Sequence, residues 1–199
     1  MKENWLFIKT ADDYGKPKII EFDKIRIKHF DVEKGNDHSL IKKANHWIEN
    51  LEDTNHEFVN PNRVRFSRNG KIHTVLNENE SLAEDCIFEN DYEKLITTET
   101  ELTESEIQNL KFEVNWNDEK IYVRFNEYTD TPILQKINEG LNREGSRIIL
   151  EKFNSTLFLS FYRDTYHERL IPIKYVDTKK IILYGFPAEP YETECKIIE

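Results

Sequence analysis

Four strand-like segments joined by very short polar connections fill the last third of the sequence. Strands joined by two-residue loops must be antiparallel, because parallel neighbours need a long crossover connection. The pattern therefore predicts an antiparallel meander, and this is the strongest constraint that the sequence places on the fold. The segments are residues 147–153, 157–162, 166–175 and 180–186, and the connections are Asn154-Ser155, Asp164-Thr165 and Asp177-Thr178.

A hairpin is predicted earlier in the chain around Asn69-Gly70. The apolar and polar residues alternate on both sides of this dipeptide, over 63–68 and 71–76. Asn-Gly supplies the two positive-φ positions that a type I′ turn requires. A two-residue loop there would place Phe66 opposite His73. A second hairpin is predicted around Asn117-Asp118 by the same alternation.

Helical spacing of apolar residues predicts several helices. The clearest begins at Ser39, a suitable N-cap, and places Leu40, Ala44 and Trp47 on one face. The expected fold class is α+β, with antiparallel sheet or sheets built from hairpins and a C-terminal meander, and with two or three helices packed on them. Other helical segments are 89–96, 103–110 with the capping box Thr103-Glu104-Ser105-Glu106, and a segment opened by Thr131-Pro132.

The length of 199 residues is enough for one α+β domain with a sizeable core. A two-part organisation, with residues 1–76 and 111–186 joined by the acidic segment 77–110, is the alternative. Two cysteines exclude a multi-disulfide scaffold, and the short apolar runs predict no membrane span. The expectation is a cytoplasmic protein, and its apolar C-terminal stretch also suits a fragment of a longer chain.

Negative charge is concentrated in one part of the sequence. The formal net charge is −10, and residues 77–119 alone carry 14 acidic residues against Lys94 and Lys111. Such a segment repels nucleic acid and attracts basic protein surfaces or cations. A solvated connection whose charge only keeps the chain soluble is the simpler alternative.

The leading hypothesis is a non-catalytic protein-interaction module that uses this acidic surface to engage a basic protein, such as a nucleic-acid-binding protein. An inhibitor, immunity or anti-defence protein of bacterial or phage origin fits that description. Aromatic and apolar anchors would supply the interface energy, and the charges would set association rate and specificity. The predicted binding residues are Glu84, Asp85, Phe88, Glu89, Asp91, Tyr92, Glu93 and Leu95.

The alternative function is a nucleic-acid-binding or nuclease-type component of a prokaryotic defence system. Arginine suits phosphate, and a β-ribbon can enter a nucleic-acid groove. An exposed strand face, or attraction to the acidic segment within the same chain, explains the same residues equally well. The basic patch consists of Arg63, Arg65, Arg68 and Lys71.

Catalytic signatures are weak. Arg163, His167 and Arg169 lie near a predicted hairpin tip and could converge on an anion, although ordinary cross-strand charge pairs are the simpler explanation. The tripeptide Glu194-Cys195-Lys196, with Asp177 upstream, has the local form of a metal-dependent nuclease signature. The loosely spaced His29, His38, His46 and His56 do not define a metal site. We therefore expect no catalytic residues, no metal and no cofactor.

Overall fold

The structure is a computed structural model, and it shows a chain made almost entirely of β-strands. The described residues contain one α-helix, so the predicted α+β class with two or three packed helices is wrong. Two sheets, called here sheet A and sheet B, replace it. The structure describes residues 3–9, 18–22, 25–77, 80–116, 119–125, 147–163, 166–184 and 192–198.

Sheet A is formed by the first seven strands. They are β1 Glu3–Lys9, β2 Lys18–Phe22, β3 Arg26–Lys34, β4 Leu40–Asn50, β5 Asn55–Asn60, β6 Arg63–Asn77 and β7 Glu80–Lys94. Their order across the sheet is β4-β3-β2-β1-β7-β6-β5, and neighbouring strands are antiparallel.

Sheet B is formed by the rest of the described chain. Its elements are β8 Glu99–Thr100, α1 Glu104–Gln108, β9 Lys111–Trp116, β10 Glu119–Arg124, β11 Arg147–Phe153, β12 Thr156–Arg163, β13 Tyr166–Val176, β14 Lys180–Tyr184 and β15 Glu192–Ile198. The strand order is β10-β9-β15-β14-β13-β12-β11, and the short β8 pairs in parallel with β13.

Sheet A curls so that its two edges approach each other. The edge strands β4 and β5 are consecutive in the chain and are joined by residues 51–54 alone. Such a connection spans at most about 18 Å. A flat sheet of seven strands would separate its edges by roughly 29 Å. The sheet therefore has a concave face, which carries Trp5, Ile20, Ile27, Val64 and Tyr92.

The two sheets share a core. Leu6 and Ile19 of sheet A pack with Phe158 and Leu170 of sheet B, and Leu95 packs against this cluster. On the other face of sheet B a second cluster includes Ile107 of α1. Strand β12 is consequently buried on both faces, because Leu157 and Leu159 belong to the second cluster while Phe158 belongs to the first.

The helix predicted from Ser39 to Leu51 is instead the edge strand β4, and the helix predicted over 89–96 falls largely in β7. The pairing of β3 with β4 is interrupted by register shifts between His29 and Phe30 and between Phe30 and Val32. Irregular pairing of this kind disturbs the alternation of inward and outward side chains. A strand with such interruptions can therefore show apolar residues at helical spacing.

The hairpin predicted at Asn69-Gly70 is also wrong. Both residues lie within β6, where Asn69 pairs with Ile87 and Gly70 pairs with Cys86. The pairing of β6 with β7 continues to Asn77 and Glu80. Phe66 consequently lies opposite Asn90 rather than His73. A long cross-strand register has overridden the local preference of Asn-Gly for a turn.

Three other local predictions agree with the structure. Strands β11 to β14 form the antiparallel meander, and Asn154 takes a positive φ of 53° in the first of its connections. Strands β9 and β10 form the second hairpin. Thr103 and Glu106 form the capping box of α1. The helix predicted after Thr131-Pro132 lies outside the described residues.

Candidate functional site

Strands β6 and β7 extend beyond the other strands of sheet A, and the two-stranded part that projects is called here the ribbon. Strand β5 pairs with β6 only through Arg63–Ser67, and β1 pairs with β7 only through Asp91–Lys94. Within the described part of the chain, residues 68–77 and 80–90 pair only with each other. The ribbon comprises these two stretches. Among the described residues, no third strand pairs with the outer backbone edges of the ribbon.

One face of β6–β7 carries a series of cross-strand ion pairs. Arg63 Nε donates to Glu93 Oε1. Arg65 donates from Nε and Nη2 to the two carboxylate oxygens of Asp91, at 2.7 and 3.0 Å. A nitrogen of Arg65 also lies 3.3 Å from Glu89. The predicted acidic surface and the predicted basic patch are thus largely opposite strands of one structure.

The cross-strand ion pairs become more exposed along β6 and β7, from Arg63 and Glu93 into the ribbon. Arg63 and Glu93 are buried. Lys71 and Asp85 are exposed, and Lys71 Nζ lies 3.6 Å from Asp85 Oδ1. Exposed pairs of this kind contribute little to stability. Between Asp85 and Glu89 on the same face lies Ile87, whose side chain is 66 % exposed. This is the most exposed large hydrophobic side chain among those described.

The buried pair between Arg63 and Glu93 reaches sheet B through Tyr184. Burial raises the pKa of the Glu93 carboxyl, while the hydrogen bonds from Arg63 and Tyr184 oppose that rise. Burial and the neighbouring Glu93 raise the pKa of the Tyr184 hydroxyl. The pair therefore joins the two sheets, and its role is in stability rather than in surface recognition.

The predicted binding residues all lie on β7 or directly after it, but they do not form one surface. Glu84, Asp85 and Glu89 are exposed. Leu95 is partly buried against the core between the sheets. Asp91, Tyr92 and Glu93 are buried, and the side chain of Phe88 lies outside the described residues. Beyond Leu95, the described part of the acidic segment contributes β8, α1, β9 and the start of β10, which belong to sheet B and its helix.

The exposed apolar residues Leu82 and Ile87 were not predicted as binding residues. Ile87 alternates with acidic residues at positions 85 and 89, so a strand interpretation would have placed it on their face. The helical interpretation of 89–96 obscured this signal.

The predicted small sites all lie on sheet B. Arg163, His167 and Arg169 lie on β12 and β13, but their side chains are outside the described residues. In β15, burial raises the pKa of the Cys195 thiol to about 12.

The neighbouring residues of the nuclease-like signature have structural contacts. Glu194 accepts from Lys180 at 2.9 Å, and Asp177 accepts two backbone N–H groups in the turn before β14.

The four histidines that are clustered in the sequence lie on four different elements. His29 is buried on β3, His38 lies in a short 3₁₀ turn and His56 is exposed on β5. The side chain of His46 is not described. No group of three or more metal-binding side chains is brought together in the part of the chain that the structure describes.

His29 is expected to make stability depend on pH. Burial lowers its pKa, although Glu49, whose Oε2 lies 3.2 Å from His29 Nε2, opposes that shift. Nearby Lys18 lowers the pKa further. The unfolded chain therefore takes up this proton first, so the free energy of unfolding falls as pH decreases below about 6.5.

Urea titrations between neutral and mildly acidic pH test this expectation. His29→Gln should flatten the slope of stability against pH relative to the wild type. Equal slopes for the wild type and His29→Gln would contradict the expectation.

Comparison with known proteins gives no relative. No protein-family model, no curated protein and no solved structure matches this chain. No helix among the described residues is long and apolar enough to cross a membrane.

Proposed function

We propose that the chain is a non-catalytic interaction module that docks a basic protein through the ribbon. The observation that carries the proposal is the exposure of Ile87. Its side chain is 66 % exposed and lies between Asp85 and Glu89 on the same face of β7. An apolar anchor surrounded by charges has the composition expected of a small recognition surface. Leu82, on the opposite face, provides a second exposed apolar side chain.

The charge of the ribbon supports a basic partner. Residues 68–90 contain five acidic residues against Arg68 and Lys71. The pairing of Lys71 with Asp85 is long and exposed, so it yields readily to a competing cation. Acidic groups around the anchor accelerate association with a basic surface and disfavour acidic partners.

An inhibitor, immunity or anti-defence protein is the biological role that we favour. Such a protein acts by covering a functional surface of its target. A target with a basic surface, such as a nucleic-acid-binding protein, would lose access to its own ligand when the ribbon occupies that surface.

The alternative, nucleic-acid binding through the basic patch, has less support from the geometry. Arg63 and Arg65 are engaged by Glu93 and Asp91, and Lys71 lies beside Asp85. Phosphate contacts by these three residues would have to displace carboxylates of the neighbouring strand β7. The remaining residue, Arg68, faces the other side of β6.

A comparison of two matched variants tests the proposal. Ile87→Lys places a cation in the anchor, and Ile25→Lys makes the same change at an isoleucine that is 61 % exposed outside the ribbon. Both variants should keep the wild-type melting temperature. Affinity capture from host lysate at low and high salt, with protein and nucleic acid identified, then compares their partners.

We expect the wild type and Ile25→Lys to retain a basic protein at low salt and to release it at high salt. Ile87→Lys should fail to retain this protein. A partner held equally by Ile87→Lys would contradict docking through the ribbon. Recovery of DNA or RNA without such a protein would favour the nucleic-acid alternative and overturn the proposal.

A further inference from the structure

A cavity of about 470 Å³ lies on the concave face of sheet A, at the base of the ribbon. Its volume falls in the range of roughly 300–1,000 Å³ that small-molecule sites occupy. Strands β2, β3, β6 and β7 contribute to its walls, and the connection between β4 and β5 closes one side. The curl of the sheet therefore creates it.

Aromatic rings form one part of the wall. Phe66 and Tyr92 both line the cavity, and their rings are packed edge to face, with centroids 5.6 Å apart at an interplanar angle of 86°. Phe66 also contacts His56, with ring centroids 5.9 Å apart. These two ring contacts hold the Phe66 ring in place. Fixed rings of this kind are suitable for stacking against a nucleobase.

Cations and an amide lie in the same wall. Lys18 and Arg68 contribute positive charge, which suits a phosphate group. Asn90, opposite Phe66 on the neighbouring strand, contributes a side-chain amide, which can hydrogen-bond to the edge of a base. Side chains alternate between the two faces of a strand. Arg68 is therefore on one face of β6, and Arg63, Arg65 and Lys71 are on the other.

The cavity wall also contains a carboxylate. Glu49 lines the cavity beside His29, with 3.2 Å between its Oε2 and the imidazole Nε2. An acidic side chain is a common acceptor for ribose hydroxyl groups. A mainly polar wall with a few rings excludes a fatty acyl chain, which would require an apolar lining.

We infer that this cavity binds a nucleoside phosphate, with the base against Phe66, the phosphate at Arg68 and Lys18, and the sugar towards Glu49. The same chemistry is presented by a free nucleoside monophosphate and by the terminal nucleotide of a single strand. The inference does not depend on the protein-docking role of the ribbon.

Calorimetric titration of the intact chain with the four ribonucleoside monophosphates, a short single-stranded oligonucleotide and inorganic phosphate tests the inference. Arg68→Gln, at an exposed position, should weaken nucleotide binding by roughly ten-fold or more. Phe66→Leu should weaken it as well, with thermal denaturation confirming that the variant is folded. Lys71→Gln is the matched control, since Lys71 lies three positions along β6 on the other face.

Saturable nucleotide binding that is weakened by Arg68→Gln and kept by Lys71→Gln would support the site. Tighter binding of the oligonucleotide with the same variant pattern would identify the strand as the source. Absence of binding at millimolar concentration, equal affinity for inorganic phosphate, or equal losses in Arg68→Gln and Lys71→Gln would each overturn the inference.

Discussion

Replacing Arg63 with methionine is expected to lower the free energy of unfolding by about 3–5 kcal/mol, because it leaves a buried carboxylate without its cation. Glu93 is 0 % exposed and accepts a hydrogen bond from Arg63. For a chain of this size the melting temperature should fall by about 10 °C. Chemical denaturation and thermal unfolding monitored by circular dichroism measure both quantities.

Two further variants separate the loss of charge compensation from the loss of packing. Lys71→Met breaks the exposed pair with Asp85 on the same strand and should change stability by less than about 1 kcal/mol. The double variant Arg63→Met/Glu93→Leu removes both buried charges and should recover most of the lost stability. An Arg63→Met protein as stable as Lys71→Met would show that the buried pair is not required.

The pH dependence of the Arg63→Met variant provides an independent check. Without Arg63, which opposes the effect of burial, the pKa of the Glu93 carboxyl rises further. The folded variant then binds a proton that the unfolded chain releases at lower pH. Its stability deficit should therefore shrink as the solution is acidified towards the pKa of an ordinary glutamate and grow as pH rises.

Replacing Phe158 with alanine is expected to cost about 3–5 kcal/mol, because it opens a cavity between the two sheets. Phe158 is fully buried and packs with Leu6 and Ile19 of sheet A, although it belongs to β12 of sheet B. Few neighbouring groups can move to fill the space, since β12 is also packed on its other face.

Phe58→Ala is the matched control for this prediction. Phe58 is 59 % exposed on β5 and makes a ring contact with Trp5, so its truncation should cost less than about 1 kcal/mol. Phe158→Leu keeps most of the volume and remains measurable if the alanine variant does not fold. Equal losses for Phe58→Ala and Phe158→Ala would contradict a core shared by the two sheets.

Local signals in the sequence were interpreted correctly where neighbouring residues decide the structure. The meander from β11 to β14 follows from short connections that leave no room for a parallel arrangement. The capping box of Thr103 and Glu106 is complete within four residues. In these segments the chain needs no distant partner to choose its conformation, so the sequence pattern was sufficient.

Distant pairing decided the segments that were interpreted wrongly. Asn69-Gly70 favours a turn, but pairing along the full length of β7 keeps it extended. Leu40–Asn50 has helical spacing, but it adds to the edge of β3 with irregular register. Strand β15 lies between β9 and β14, a position that depends on partners far apart in the sequence.

The sequence by itself determined the antiparallel meander, the second hairpin and the concentration of negative charge. Only the tertiary structure decided how that charge is used. It buried Glu93 against Arg63, exposed Ile87 between two carboxylates and curled sheet A around a cavity. Each of these outcomes depends on which strand lies beside which, and that choice is made by long-range burial and register rather than by local preference.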